Sequence, residues 1–260
     1  MKKVTVIGIG DAGRNILMKL DFFNVEAERI YLDTDIKAFK NKRRPYNQLQ
    51  IGKKTAGGHG AKGDPLVGEA AAKESLEEIK ALIHDTDLLM ITCSLGGGTG
   101  SGAAPVIANM AMELGIYVDA VVITPDLYEP DRRKIAAEYI QKLRSYTEYL
   151  LINSNDRYLA YEWGEELTEK IWRQNQASSD CAGRIGNTCR SWMEDVEIRE
   201  KRDDKVASYY KQITHIAEDT ILTEDKLDLE GIARTCEHFS WDEAHVLRAL
   251  VPKVRLRKHE

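Results

Sequence analysis

Gly96-Gly97-Gly98-Thr99-Gly100-Ser101-Gly102 stands between an apolar run, Leu88-Leu89-Met90-Ile91-Thr92-Cys93, and a small-residue stretch with helical character, Ala103-Ala104-Pro105-Val106-Ile107-Ala108. A strand, a glycine loop and a helix start in that order form a cradle for an anion. Residues without side chains let the backbone approach, successive N–H groups turn inward, and the helix N-terminus adds partial positive charge. Five glycines in seven positions cost conformational entropy that a purely structural turn does not need. A flexible linker is the competing reading, but linkers do not normally lie between a buried strand and a helix start.

A second glycine loop lies near the N-terminus. Lys3-Val4-Thr5-Val6-Ile7 reads as a buried strand, followed by Gly8-Ile9-Gly10-Asp11-Ala12-Gly13 and then Arg14-Asn15-Ile16-Leu17-Met18-Lys19-Leu20. This is G-x-G-x-x-G in the strand-turn-helix setting that the motif requires. A further strand, Arg29-Ile30-Tyr31-Leu32, ends in Asp33-Thr34-Asp35. That is about 20 residues past the last glycine, where a dinucleotide fold carries its ribose-binding acid, and Asp35 is the candidate. Alone, this half predicts a nicotinamide oxidoreductase. The richer loop at Gly96 argues against it, because a dinucleotide fold does not require a second phosphate cradle.

The first 155 or so residues alternate strand and helix. Strands are expected over 3–7, 29–32, 87–93, 118–123 and 148–153, with helices over 13–20, 65–83, 103–114 and 131–144. Such alternation predicts an α/β fold, a Rossmann-like parallel sheet with helices on both faces. Ligands of these sheets bind beyond the carboxyl ends of the strands, and both glycine loops lie at that end.

Composition narrows the function classes. The chain has 260 residues and a net charge of -5 at pH 7, which gives no reason to expect a nucleic-acid partner. No apolar run is long enough to span a bilayer, and Gly8, Gly10 and Asp11 interrupt the N-terminal apolar stretch, unlike a signal peptide. A cytoplasmic protein is expected. Cys93, Cys181, Cys189 and Cys236 form no CxxC pair and have no histidine at zinc spacing, so reduced thiols are expected. Cys93 is read as a small apolar residue at a strand end, with a reactive thiol near the helix start as the alternative.

These residues carry a resemblance to the tubulin and FtsZ family. GGGTGSG followed by AAPVIA resembles its signature, and IGIGDAGRN resembles the first phosphate loop of FtsZ. Gly52 to Ala72, with Thr55, Gly58-His59-Gly60-Ala61 and Asp64-Pro65, is similar to the FtsZ loop that contacts the terminal phosphate. Val122-Ile123-Thr124-Pro125 leads to Glu129 and Arg133, similar to the acid and arginine on the ribose and guanine side, and Asn155-Asp156-Arg157 resembles N-D-R/K-L, whose Asn contacts the base. The match runs unbroken over about the first 160 residues.

The resemblance implies a site for GTP and GDP. Gly10, Asp11, Ala12 and Gly13, together with Gly96, Gly97, Gly98, Thr99 and Gly100, are expected to hold phosphates, with the Thr99 hydroxyl a further donor. Asn15 is expected at the base or sugar, Glu129 and Arg133 at the ribose side, and Asn155 at the base. Mg²⁺ bridging phosphate oxygens is expected on general grounds, with no dedicated protein ligand set. The absence of G-x-x-x-x-G-K-[ST] excludes the ordinary P-loop. Gly60, Ala61 and Lys62 form the third phosphate turn, and there the chain departs from the FtsZ pattern G-x-G-A-G by placing Lys62 at the last glycine. Lys62 either touches the terminal phosphate or points to solvent.

Beyond Asn155 the likeness thins. Residues 161–200, with Trp163, Trp172 and Trp192, are read as a helical insertion, with a loop suggested by Ser178-Ser179 and by Gly183 to Gly186. The tryptophans pack a core or anchor a partner. A long core helix is placed through Trp192, Val196, Val206, Tyr210, Ile213 and Ala217, within a segment 201–232. Asp203-Asp204-Lys205-Val206 resembles the FtsZ A-D-x-V-L whose Asp reads guanine, a carboxylate accepting from both N1–H and the 2-amino group, and Asp204 is chosen with Asp203 as the alternative. Lys226-Leu227-Asp228-Leu229-Glu230-Gly231-Ile232 best matches the loop that completes the active site of a neighbouring subunit, with Asp228 and Glu230 as the catalytic candidates. The family's Asn and second Asp are replaced by Lys226 and Gly231, so hydrolysis is expected to be slow. Residues 233–260 read as one helix opening on the capping box Ser240 to Glu243, then a basic end. This is a short remnant where FtsZ has a sheet domain, and the basic end is a soluble terminus or a contact for a partner or anionic lipid.

Three functions follow: a slow FtsZ-like GTPase assembling with itself or a longer relative in cytoskeletal or division-related work, a non-polymerising nucleotide-binding regulator of such filaments, and a dinucleotide oxidoreductase.

Overall fold

The computed structural model describes residues 3–39, 46–158 and 175–193, and the strand residues 222–223 and 226–227. β1 (Val4–Ile9), β4 (Leu88–Ser94) and β5 (Tyr117–Thr124) are almost wholly buried apolar runs, as strands covered on both faces must be. β2 (Glu28–Asp33), β3 (Asn47–Gln50) and β6 (Tyr149–Ser154) flank them. All six strands pair in parallel, in the order β3-β2-β1-β4-β5-β6. The crossover direction reverses between β1 and β4, and the crevice at such a reversal is where ligands of open α/β sheets bind.

Successive side chains divide the core into two layers. Ile7, Ile9, Ile30, Leu32, Leu89, Ile91, Val118 and Val122 face α2 (Pro65–Glu74), α3 (Leu76–Ile83), α4 (Thr99–Glu113) and α5 (Pro130–Arg144). Val4, Val6, Tyr31, Met90, Val121 and Ile123 face α1 (Gly10–Lys19) and the helix over residues 175–193, here α6. Each of these wholly buried aliphatic side chains contributes roughly 1.5–3 kcal/mol relative to exposure.

The expected architecture is present, with four differences. β3 is an additional edge strand. The helix expected over 65–83 is two helices, because buried Ser75 turns its hydroxyl to accept from Gly52 N–H at 3.0 Å and its backbone leaves helical geometry. The helices begin inside the two glycine loops and not after them, α1 at Gly10 and α4 at Thr99.

The fourth difference lies at Ser178-Ser179 and Gly183 to Gly186, expected as a loop and found within α6. A Cβ on Gly183 would come within 3.2 Å of the Phe23 ring, and one on Gly186 within 3.2 Å of Val25. These glycines permit close approach of a helix to the segment after α1. Arg190 donates to Phe23 O at 3.1 Å and Lys19 to Ser179 Oγ at 3.2 Å, fixing the same contact. Trp192 packs partly buried against this core, whereas Trp163 and Trp172 lie outside the described residues.

The chain divides into two compact units, Met1–Met193 and Glu194–Glu260. In the second, the described residues are a short antiparallel pair, Leu222–Thr223 with Lys226–Leu227. Trp192, expected on the core helix, is instead near the end of α6, and the other residues expected on that helix, like the helical remnant, lie outside the described residues. Among the described residues, no helix is long and apolar enough to cross a membrane. Cys93, Cys181 and Cys189 are free and buried, and burial pushes the Cys93 thiol up to about 12, which favours the apolar reading.

Candidate functional site

Three turns meet beyond the carboxyl ends of the strands because glycines let their supports pack backbone to backbone. A Cβ on Gly13 would lie 2.6 Å from the carbonyl carbon of Gly8, so only glycine lets α1 fold back on β1. A Cβ on Gly102 would lie 2.0 Å from Pro65 O, and one on Gly68 2.3 Å from Gly98 O. α2 and α4 therefore cross in direct contact, and the turn before α2 is pressed against the loop before α4. Ala61, 4 % exposed, and Asp64 occupy the space beside Gly98.

The turn before α2 is anchored by two carboxylates. Asp64 caps α2 by accepting from Leu66 N–H at 2.9 Å, with Pro65 in the first turn. Glu74 accepts from the Thr55 hydroxyl at 2.6 Å and from the N–H groups of Lys54 and Thr55 at 2.9 and 2.8 Å. The Thr55 hydroxyl and these N–H groups pull the Glu74 carboxyl down to about 2. Farther along, Ile36 donates to Gly58 O at 3.1 Å and Asp35 bridges His59, tying the turn to the segment after β2.

These turns enclose a cavity of 1110 Å³. Gly10, Asp11, Ala12, Asn15, Asp35, Gly60, Lys62, Gly97, Gly98, Thr99, Gly100, Glu129 and Asn155 line it, so most of the residues expected at the site share one space. A Cβ on Gly97 would meet no protein atom within 4 Å, which leaves the backbone there open to a ligand.

Four expected residues are placed differently. Gly13 and Ala61 support the wall from behind. Gly96 adopts a left-handed φ of 99° and donates its N–H to Ser101 Oγ at 2.8 Å. Arg133 pairs with Asp156 at 2.7 Å instead of lining the cavity, and Arg132 lines it, bound to Glu129 at 2.5 Å and to Gly96 O at 3.2 Å. Burial works against ionisation of Asp156, but the Arg133 guanidinium, the Ser154 hydroxyl and Leu127 N–H outweigh it and lower its pKa. Asp204, Asp228 and Glu230 lie outside the described residues.

The cavity also contains residues that sequence reading did not single out. Asp33 is 5 % exposed; burial raises its pKa, while the Tyr31 hydroxyl at 2.5 Å and Asp35 N–H at 3.1 Å hold it. Ala177 and Ser178 bring α6 to the wall, secured by Asn153, which donates to Ala177 O at 3.2 Å. Asn155 Oδ1 is buried and has no hydrogen-bond partner among the described residues. An orphaned amide oxygen on a cavity wall suits a ligand that brings a donor.

The chain is similar in sequence and fold to known proteins. The family model described as "Tubulin/FtsZ family, GTPase domain" matches residues 3–161. The cell division protein FtsZ 1 of Methanocaldococcus jannaschii is 41% identical over 157 residues, 60% of this chain and 43% of that protein. FtsZ of Aquifex aeolicus is 38% identical over 157 residues, 60% of this chain and 42% of that protein. The chain therefore spans less than half the length of these curated relatives. The empty FtsZ dimer of M. jannaschii superimposes with a TM-score of 0.64 at 36% identity, over 73% of this chain and 55% of that chain. CetZ2 from Haloferax volcanii, a GTPγS-bound protofilament, shares the fold with a TM-score of 0.62 at 23% identity, over 72% of this chain and 58% of that chain.

Proposed function

The chain belongs to the tubulin/FtsZ family, and from that premise we propose that it binds GTP and GDP in the cavity between β1 and β4 and hydrolyses GTP slowly in assemblies with itself or a longer relative. The observation that carries this reading is the convergence of three glycine turns and Asn155 on one space. β1 and β4 are central, so a polyphosphate lies over the turns that follow them. Glu129, Asn155 and α6 belong to the β5 and β6 side, and the nucleoside lies there. The free acceptor Asn155 Oδ1 suits the N–H groups on the edge of guanine.

Thr99 starts α4, so its hydroxyl and the helix dipole face the same phosphate. Magnesium arriving with the nucleotide supplies charge neutralisation. It would be held chiefly by phosphate and water oxygens, as Mg²⁺ carried by a nucleotide commonly is. Asp228 and Glu230 are the residues we assign to orienting the attacking water in a neighbouring subunit. The work served is cytoskeletal or division-related and cytoplasmic, in keeping with the FtsZ relatives.

Phosphate release from GTP, measured against protein concentration, tests this reading. A site completed by a second subunit gives activity per chain that rises with concentration and falls in Asp228→Asn with nucleotide affinity retained. Binding without release at any concentration supports a regulator of filaments, and binding of NAD in place of GTP overturns the assignment.

A further inference from the structure

Four cations line the cavity, and two are neutralised from within. Arg14 pairs with Asp11 at 3.0 Å and Arg132 with Glu129 at 2.5 Å. Lys37 and Lys62 make no ion pair among the described residues. Lys37 sits in the short turn Ile36–Phe39 that leaves β2. Lys62 sits in the turn pressed against the α4 glycine loop, between Ala61 and Asp64, whose atoms lie within 2.9 Å of where a Gly98 Cβ would be.

The backbone of Lys62 is left-handed, with φ 50°, in a turn where Gly60 and Gly63 have φ of 74° and 82°. Among the described residues, Asn24 is the other non-glycine with positive φ, and it caps a short helical turn. Glycine would hold the Lys62 conformation without strain. The chain instead keeps a long cation there, exposed and lining the cavity.

Topology states which phosphate it meets. Asn155 and α6 mark the nucleoside side at β5 and β6, and the turns after β4 and β1 come next. The turn carrying Lys62 is tied to the segment after β2 through Ile36 and Gly58 and through Asp35 and His59, at the far end of the row. A polyphosphate running from β6 toward β2 ends at Lys62.

We propose that the Lys62 ammonium binds the terminal phosphate and makes this site select nucleoside triphosphate over diphosphate, an inference that rests on the nucleotide-site reading above. The test is calorimetric titration of the full chain, with magnesium, by GTP and separately by GDP, for the unaltered protein, K62G and K62R. K62G removes the charge and relieves the backbone, so lost affinity does not reflect misfolding, and its melting temperature is expected at or above that of the unaltered chain. GTP affinity is expected to fall about tenfold in K62G while GDP affinity changes less than about twofold, and K62R is expected to retain most of the selectivity. An unchanged ratio of GTP to GDP affinity in K62G overturns the proposal and leaves the nucleotide site standing. Binding of neither nucleotide by the unaltered chain overturns both.

Discussion

The Thr34 hydroxyl lies 2.7 Å from the Thr99 hydroxyl, joining the end of β2 to the first residue of α4 across 65 positions of sequence. Thr34 is fully buried, whereas Thr99 lines the cavity. A hydroxyl has one proton to give and two lone pairs. When Thr99 donates to a phosphate it accepts from Thr34, so the buried residue orients the half-buried one.

Thr34→Val keeps the volume and shape of the side chain and removes that partner. Nucleotide affinity is expected to fall by a few fold, consistent with one neutral hydrogen bond worth about 1 kcal/mol. Thr34→Ser is expected to restore it, and Thr99→Ala to lose more than Thr34→Val. Equal affinity in Thr99→Ala and the unaltered protein, measured by titration calorimetry, would remove Thr99 from the site.

Adjacent glycines separate stability from binding. A methyl on Gly98 would stand 2.7 Å from the Ala61 methyl and 2.9 Å from the backbone of Asp64, so Gly98→Ala is expected to lower the melting temperature by forcing apart the two turns. A methyl on Gly97 meets nothing within 4 Å. Gly97→Ala is therefore expected to melt like the unaltered chain yet bind nucleotide weakly, because the methyl takes up ligand space. Thermal melts with and without GTP distinguish the two variants.

Asp119, on the α6 face of β5, is 9 % exposed, and burial pushes its carboxyl up to about 6. The folded state therefore holds this proton more tightly than the unfolded state does. Its contribution to stability is full below the ordinary carboxylate value near 4 and is lost as pH rises through about 6. Asp119→Asn retains an acceptor for Tyr149 N–H and abolishes the titration. The variant is expected to gain on the order of 2 kcal/mol over the unaltered protein at pH 8 and nothing at pH 4, in denaturant melts at both values. A pH-independent difference would contradict this origin.

What was legible in the sequence follows from which signals are local. Gly96 to Gly102 and Gly8 to Gly13 announce themselves because a backbone that must approach an anion or another backbone tolerates no side chain, wherever the rest of the chain goes. The buried runs of β1, β4 and β5 are equally plain. β3 was not legible, since Asn47-Gln48-Leu49-Gln50 is a polar edge strand held by pairing with β2. Gly183 and Gly186 looked like loop residues for the same reason that they fit α6: small size serves a turn and a close helix contact alike. The exchange of Arg133 for Arg132 at the wall depends on the Asp156 partner, a tertiary contact that spacing along α5 does not reveal.

The central claim is a guanine nucleotide in the cavity where Gly10 to Asn15, Gly60 to Lys62 and Gly97 to Gly100 meet. Calorimetric titration of the full chain with GTP and magnesium, run beside ATP, tests it most directly. The account predicts saturable heat and a raised melting temperature with GTP, little of either with ATP, and loss of both effects in Thr99→Ala. No heat and no thermal shift with GTP would contradict it.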